Sequence, residues 1–256
     1  MRVRIKFAKK ESVQYLGHLD ILRFFQRCFN RADVRMEYSE GFNPHQRMSF
    51  AQPLGVGIVS SGEYLDAEIA DGQDLKKICE RLNEVCGEGF EVLSVRAVKE
   101  GAKKVMAAVR YASYRVEVSG LISNTEKTES EFASLRKDPE DVLRKAIEKL
   151  LVKDRITVIK RTKSGEREVD IRPQMMELSL EEKDQKSELK NACAQADCVV
   201  CMTVTAASDN NLKAETLMQQ IFSESEIAYD REKIKIQRVD LFADDMIPLD
   251  KFQTIA

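Results

Sequence analysis

The sequence lacks long apolar runs, although 43% of its 256 residues are hydrophobic. No stretch approaches the roughly 20 apolar residues that cross a bilayer, which argues against a membrane-spanning helix. The N-terminal segment alternates charged with apolar residues and has no signal-peptide core. We therefore expect a cytoplasmic protein without a membrane partner.

Motifs that hold metals, cofactors or phosphates are also missing. The glycine-rich segment 53–57 has neither the spacing of a P-loop nor a predicted helix after it, so it is not a nucleotide fingerprint. The chain has no G-x-S-x-G, no H-E-x-x-H and no iron–sulfur cysteine set. These absences predict a protein with no metal and no cofactor of its own, and they favour a non-catalytic role.

Cysteine is not scarce, with six residues in the chain. Without a signal peptide, free thiols are expected. Cys198 and Cys201 have the spacing of a metal or redox pair, but they lie in a predicted strand, where residues three apart point to opposite faces. Two small buried side chains are therefore the favoured interpretation.

Hydrophobic patterning predicts a β-α-β-β-α-β order over residues 1–100. In the first strand, Val3, Ile5 and Phe7 alternate with three cations. The later elements are a helix at 18–32, strands at 34–38 and 63–70, a helix at 74–86 and a strand at 91–98. This order is the split βαβ arrangement of ferredoxin-like domains.

Residues 101–256 repeat this order with one extra hairpin near Gly165 and with polar insertions near 123–131 and 181–197. We therefore predict an α+β fold of two ferredoxin-like (βαββαβ) units in tandem, 1–100 and 101–256. A length of 256 residues suits two domains that each bury a core.

Charge is distributed unevenly along the chain. Residues 1–50 contain ten Lys and Arg against five Asp and Glu, whereas the whole chain has a formal net charge of −2. On the first strand, Arg2, Arg4 and Lys6 are expected on the open face of the sheet, because the apolar residues must face the helices. A ladder of ion pairs with the polar face of the neighbouring strand at 63–70 would account for these cations. That face carries Tyr64, Asp66 and Glu68.

The first predicted helix carries a ridge of cations. Arg23, Arg27 and Arg31 recur every fourth residue and therefore share one side of the helix. Two interpretations stay open. The ridge is either a solvated face that Asp20 or Asp33 neutralises, or a surface that binds phosphates.

Both histidines lie within this basic segment. His18 stands at the start of the predicted helix, and His45 lies in the loop 41–47, which Pro44 stiffens. A stiff loop that displays Asn, His and Arg favours a binding surface, with a plain connection as the alternative. Histidine titrates near neutral pH, so either imidazole would suit a general base.

Two motifs in this region, YLGHLD at 15–20 and YSEGFNPH at 38–45, resemble the radical-SAM-linked family of bacteria. Segments 53–57, 63–66, 169–173 and 238–242 extend the match. Members of that family occur fused to, or encoded beside, a radical SAM protein. The resemblance implies a helper role in RNA modification, with a radical SAM protein and RNA, either tRNA or rRNA, as partners. The radical chemistry would belong to that partner, because this chain has no cluster-binding motif.

The leading prediction is an accessory module that binds RNA or presents it to a radical SAM enzyme. It requires the imidazoles and guanidiniums of the basic segment to gather in one accessible pocket. The alternatives are a metal-independent RNA-processing enzyme with His18 or His45 as general base, and a protein-interaction scaffold without RNA. The predicted RNA- or partner-binding residues are His18, Asp20, Arg23, Arg27, Arg31, Gly41, Phe42, Asn43, His45 and Arg47.

Overall fold

A computed structural model describes residues 1–121, 139–162, 165–181, 196–225 and 227–255. Most of the two predicted polar insertions lies outside these residues. The chain forms two compact units, of which the first comprises residues 1–113, 206–210 and 237–256 and the second comprises 114–205 and 211–236. The units are discontinuous in sequence. The division into domains 1–100 and 101–256 stays a prediction.

The first unit is built on a mixed sheet. Its strands are β1 (Arg2–Lys9), β2 (Met48–Phe50), β3 (Val59–Glu68), β4 (Phe90–Val98) and β11 (Thr254–Ile255), and its helices are α1 (His18–Arg31), α2 (Leu75–Cys86) and α3 (Val105–Ala108). Two further strands, β5 (Tyr111–Val118) and β10 (Ile234–Phe242), contribute residues to both units. The strand order is β11-β4-β1-β3-β10, with β2 also on β3. β1 pairs antiparallel with β3 and β4, whereas β10 runs parallel to β3.

The core of the first unit lies between this sheet and the two longer helices. Val3, Ile5 and Phe7 face the helices, as their alternation predicts, and none is more than 2% exposed. Helix α1 buries Ile21, Phe25, Cys28 and Phe29, and α2 buries Ile78, Leu82 and Cys86. One face of each helix is thereby held against the sheet, so the opposite face of α1 points to solvent.

The predicted second strand at 34–38 is wrong. That segment forms only isolated bridges, from Met36 to Ile69 and from Tyr38 to Gln46. On the edge of β3 that faces away from β1, the antiparallel partner is β2 instead. Two segments pair with this edge of β3. The Glu68 carbonyl accepts a hydrogen bond from the Glu37 N–H, and the Glu68 N–H donates to the Arg47 carbonyl.

The prediction that the cations of β1 lie on an open face is also wrong. Leu249 and Phe252 contact Arg4 on that face of the sheet, and Arg4 is only 1% exposed. Its guanidinium donates to the Asp66 carboxylate at 2.8 and 3.1 Å. It also donates to the carbonyl oxygens of Leu249 and Phe252, each at 3.0 Å. Arg4 therefore joins the first strand to the last residues of the chain.

The expected ladder between β1 and β3 forms only in part. Arg4 lies opposite Asp66, and the Arg2 guanidinium approaches the same carboxylate at 3.8 Å. Lys6 lies opposite Tyr64, but its ammonium bonds to Asp240 at 2.7 Å. The Tyr64 hydroxyl donates to the same Asp240 carboxylate at 2.5 Å. A buried polar network thus replaces a row of exposed pairs.

The second unit combines its own strands with helices. Its elements are α4 (Pro139–Leu151), β6 (Thr157–Thr162), β7 (Gly165–Asp170), β8 (Met175–Leu180), β9 (Cys198–Thr205) and α5 (Ala214–Ser225). The strand order is β10-β5-β9-β8, while β6 and β7 form the predicted extra hairpin. The α+β class is confirmed, and the tandem ferredoxin-like interpretation stays a prediction. Within the described ranges, no helix has the length and apolarity needed to cross a membrane.

Candidate functional site

Three arginines occupy the solvent side of α1, opposite its buried residues. Arg23, Arg27 and Arg31 are all exposed. Among the residues that the structure describes, none of the three has a hydrogen-bond or ion-pair partner for its guanidinium. We call these residues the arginine face. Their mutual repulsion, about 0.2–0.5 kcal/mol for each pair four residues apart, is therefore not relieved by a described acid.

Neither nearby acid neutralises the arginine face. The Asp20 carboxylate accepts a hydrogen bond from the Gly17 N–H at 3.3 Å. Asp20 thus caps the start of α1, where a negative charge also meets the positive end of the helix dipole. Asp33 follows the helix with φ at +50°, and its carbonyl accepts from Arg81. The carboxylate of Asp33 has no partner in the described part of the chain.

The loop 39–46 is fastened to the same helix. The Gln46 amide donates to Asn30 Oδ1 at 2.8 Å and to the Gln26 carbonyl at 3.4 Å. Gln26 and Asn30 each precede an arginine of this face by one residue, so the attachment lies about 100° around the helix axis from Arg27 and Arg31. Sequence reasoning gave Gln46 no role, because only a contact between distant residues reveals it.

Ser39 and His45 close this loop. The Ser39 N–H donates to the His45 carbonyl at 2.9 Å, and the His45 N–H donates to Ser39 Oγ at 3.0 Å. Ser39 Oγ also lies 2.8 Å from His45 Nδ1, which fixes the imidazole. Between them, Gly41 has φ at +112°, which favours glycine, and Phe42 is fully exposed. Asn43 is exposed as well.

A cavity of about 760 Å³ opens beside His45 within the first unit. Of the predicted site residues, His45 and Arg47 line this His45 cavity, whereas His18 and the arginine face do not. This cavity therefore does not gather all the charged groups of the basic segment. The lining also includes Arg2, Met48, Ser49, Lys104, Met106 and Ser208, none of which was a predicted site residue.

The charges of the His45 cavity are mostly paired already. Arg47 bonds to Glu68 at 2.9 Å, with both side chains nearly half exposed. Asp66 is held by Arg4 and also accepts the Val105 N–H at 3.1 Å. Lys104 is exposed, and its ammonium has no partner among the described residues. Lys104 is thus the cation that the cavity leaves available.

His18 lies at the other end of the basic segment. It begins α1, is exposed, and packs its ring against the Phe50 ring at an angle of 79°, with centroids 5.2 Å apart. Because His18 is not among the residues that line the His45 cavity, the two imidazoles do not form one catalytic pair there. The aromatic contact gives His18 a packing role at the helix start.

The cysteines form no metal site in the described part of the chain. No group of three or more His, Cys, Asp or Glu there is arranged to hold a metal ion. Cys198 and Cys201 fall on opposite faces of β9, one buried and one half-buried, as the strand pattern predicts. Cys28 and Cys86 are buried with their sulfurs 3.8 Å apart. The hydrogen bond from Cys86, together with Arg31 and Arg27, lowers the pKa of the Cys28 thiol.

Comparison with known proteins gives a family and two distant likenesses. Residues 2–214 match the family described as "Uncharacterized protein conserved in bacteria (DUF2344)". No curated protein matches the sequence. A chain of a Cbf5-Nop10-Gar1 complex aligns with 9% identity over 95% of this chain and 50% of that chain, at a TM-score of 0.48. An unknown protein from Galdieria sulphuraria aligns with 14% identity over 94% of this chain and 97% of that chain, at a TM-score of 0.23.

This chain therefore spans about half the length of the first of these structures. Neither alignment is close enough for an argument about function to rest on it.

Proposed function

This chain belongs to the bacterial family DUF2344, and we propose that it is a non-catalytic module that binds RNA through the arginine face and the loop 39–46. The observation that carries the proposal is the arginine face. Three guanidiniums line one exposed side of a helix, and no described carboxylate pairs with them. A polyanion would supply the missing negative charge, and its attraction for the three guanidiniums would offset their mutual repulsion.

Arginine suits this role because its planar guanidinium donates two parallel hydrogen bonds to a phosphate. Helix α1 is fixed to the core by Phe25 and Phe29, both fully buried, so its outer face is presented on a rigid support. Phosphate contacts of this kind position a nucleic acid without reading its sequence. The arginine face therefore supports binding to the RNA backbone.

Phe42 adds a reason to favour RNA with unpaired bases. The ring is fully exposed at the tip of a loop that Gln46 fastens to α1. A single exposed aromatic side chain is common on protein surfaces. On a loop attached to the helix that carries the unpaired guanidiniums, however, it offers a surface on which a base can stack, with a contribution of about 1–3 kcal/mol. Single-stranded loops of tRNA or rRNA present such bases.

We propose further that the module presents its RNA to a radical SAM protein, as the resemblance of segments 15–20 and 38–45 implies. We also interpret both units as ferredoxin-like. The strand orders β4-β1-β3-β2 and β10-β5-β9-β8 support this interpretation, because each places the four strands of a βαββαβ unit in the sequence fourth, first, third, second.

RNA binding can be tested by fluorescence anisotropy with labelled tRNA and with rRNA fragments at several salt concentrations. Arg27→Glu combined with Arg31→Glu should weaken binding strongly. The slope of log affinity against log salt should fall by about 1.4, since each lost phosphate contact on a single strand removes about 0.7. The matched control is Lys76→Glu with Lys77→Glu, which makes the same change in charge at exposed positions of α2. Equal behaviour of the two double variants would contradict the proposal.

The fixed imidazole of His45 favours one second candidate, an RNA-cleaving enzyme. His45 Nδ1 is bonded to Ser39 Oγ, and His45 lines the cavity, as a positioned general base requires. Labelled RNA incubated without metal provides the test. Cleavage that is lost in His45→Ala but kept in His18→Ala would favour the enzyme over the binding module.

Co-purification with a radical SAM protein without bound nucleic acid would favour a scaffold.

A further inference from the structure

We propose that the His45 cavity binds a single nucleotide, with its base against an apolar wall and its phosphate beside Lys104. The inference rests on the proposed function, because RNA binding is the reason to expect a nucleotide rather than another anion. The cavity is distinct from the arginine face, which lies on α1 and contributes no lining residue. It would take one unstacked nucleotide of a strand held by that face.

The size and place of the cavity suit this ligand. Its volume of about 760 Å³ lies within the range of about 300–1,000 Å³ that is usual for small-molecule sites. His45 belongs to both the cavity and the loop 39–46, whose other anchor is the bond from Gln46 to Asn30 of α1. The loop therefore connects the helix that carries the arginine face with the lining of the cavity.

One wall of the cavity is apolar. Met106 and Ala107 of α3 are exposed apolar side chains in the lining, whereas Ala67 belongs to the buried core and Met48 packs against that core. Met106 is 55% exposed, so a large apolar side chain faces open space there. Methionine is flexible and polarisable, and its sulfur makes favourable contacts with aromatic rings, worth about 0.3–1.5 kcal/mol. A planar base would cover this wall.

The polar groups of the cavity favour an anion with hydrogen-bonding edges. The two acids of the lining, Asp66 and Glu68, are already bonded to arginines, which leaves Lys104 as a cation without a described partner. The hydroxyls of Ser49 and Ser208 stand in the same lining. The Lys104 ammonium would donate a charge-assisted hydrogen bond to the phosphate, and the hydroxyls would form hydrogen bonds with the sugar or the base edge.

Isothermal titration calorimetry with the full chain tests the inference. The probes are the four nucleoside monophosphates, with adenosine and inorganic phosphate as partial ligands. We expect at least one monophosphate to bind more tightly than either partial ligand, because it alone contacts both the wall and Lys104. Lys104→Glu should weaken that binding about ten- to hundredfold, as expected for the loss of a charge-assisted hydrogen bond. Lys99→Glu is the matched control, since Lys99 is exposed nearby but does not line the cavity.

The inference is overturned if inorganic phosphate binds as tightly as the monophosphates, or if Lys104→Glu and Lys99→Glu act alike. Absence of monophosphate binding together with tRNA binding that needs Arg27 and Arg31 would remove this inference and leave the proposed function intact. Monophosphate binding that needs Lys104, without any RNA binding, would remove the proposed function and support the cavity as a nucleotide site.

Discussion

Replacing Asp66 by Asn should destabilise the first unit strongly. Asp66 is 4% exposed and accepts hydrogen bonds from Arg4 at 2.8 and 3.1 Å and from the Val105 N–H at 3.1 Å. Asparagine keeps the size of the side chain and one acceptor oxygen, but it leaves the buried charge of Arg4 without an anion. Removing one partner of a buried pair costs about 3–5 kcal/mol. That is a large part of the roughly 5–15 kcal/mol by which native proteins are stable.

Glu68→Gln is the matched control for this change. Glu68 follows Asp66 by two residues in β3 and also pairs with an arginine, Arg47, but these side chains are 43% and 46% exposed. An exposed pair contributes about 0–1 kcal/mol. Because the chain has no tryptophan, urea unfolding is best followed by far-ultraviolet circular dichroism. The midpoint should fall by about 1–2 M for Asp66→Asn and hardly at all for Glu68→Gln. A similar small shift in both variants would refute the argument from burial.

Three further changes test other parts of the structure. Phe42→Ala should lower RNA affinity about tenfold with an unchanged salt slope, measured by anisotropy, because it removes base stacking and no charge. Gly62→Ala should lower the free energy of unfolding, measured with urea, by about 1–3 kcal/mol, since a Cβ there would lie 2.5 Å from the Val239 carbonyl oxygen. Burial, followed by Asp240, raises the pKa of Tyr64 above its usual value near 10. Above that pH the unfolded chain loses the phenolic proton and the folded chain keeps it. Wild-type stability should therefore fall by about 1.4 kcal/mol per pH unit relative to Tyr64→Phe, and parallel curves would show that Tyr64 does not titrate in this way.

Local patterning predicted the elements whose two faces differ in polarity. The alternation of Val3, Ile5 and Phe7 and the apolar spacing of α1 and α2 were sufficient, because each periodicity follows from the geometry of one element. The second strand was misplaced because apolar and charged residues also alternate in 34–38. The choice between 34–38 and β2 depends on which of the two segments pairs with β3. That choice is made by tertiary packing, which a local pattern does not contain.

The candidate site was likewise predictable only where its features follow from the geometry of one element. The exposure of Arg23, Arg27 and Arg31 follows from helical spacing once the buried face of α1 is known. The attachment of the loop by Gln46 depends on contacts between residues that are 16 and 20 positions apart. The His45 cavity draws Lys104 and Ser208 from distant parts of the chain, so no spacing rule would have found it.

The bonds of Arg4 set an order in which this protein can be completed during translation. Arg4 is synthesised before Leu249, whose carbonyl it binds and which follows 245 positions later. Domains usually fold as their residues leave the ribosome, beginning with the N-terminal ones. Here β1 can pair with β3 early, and Arg4 can bond to Asp66, yet the guanidinium lacks the Leu249 and Phe252 carbonyls until residues 249–252 have emerged. A residue that is synthesised early thus reaches its final surroundings only after much of the first unit has been made.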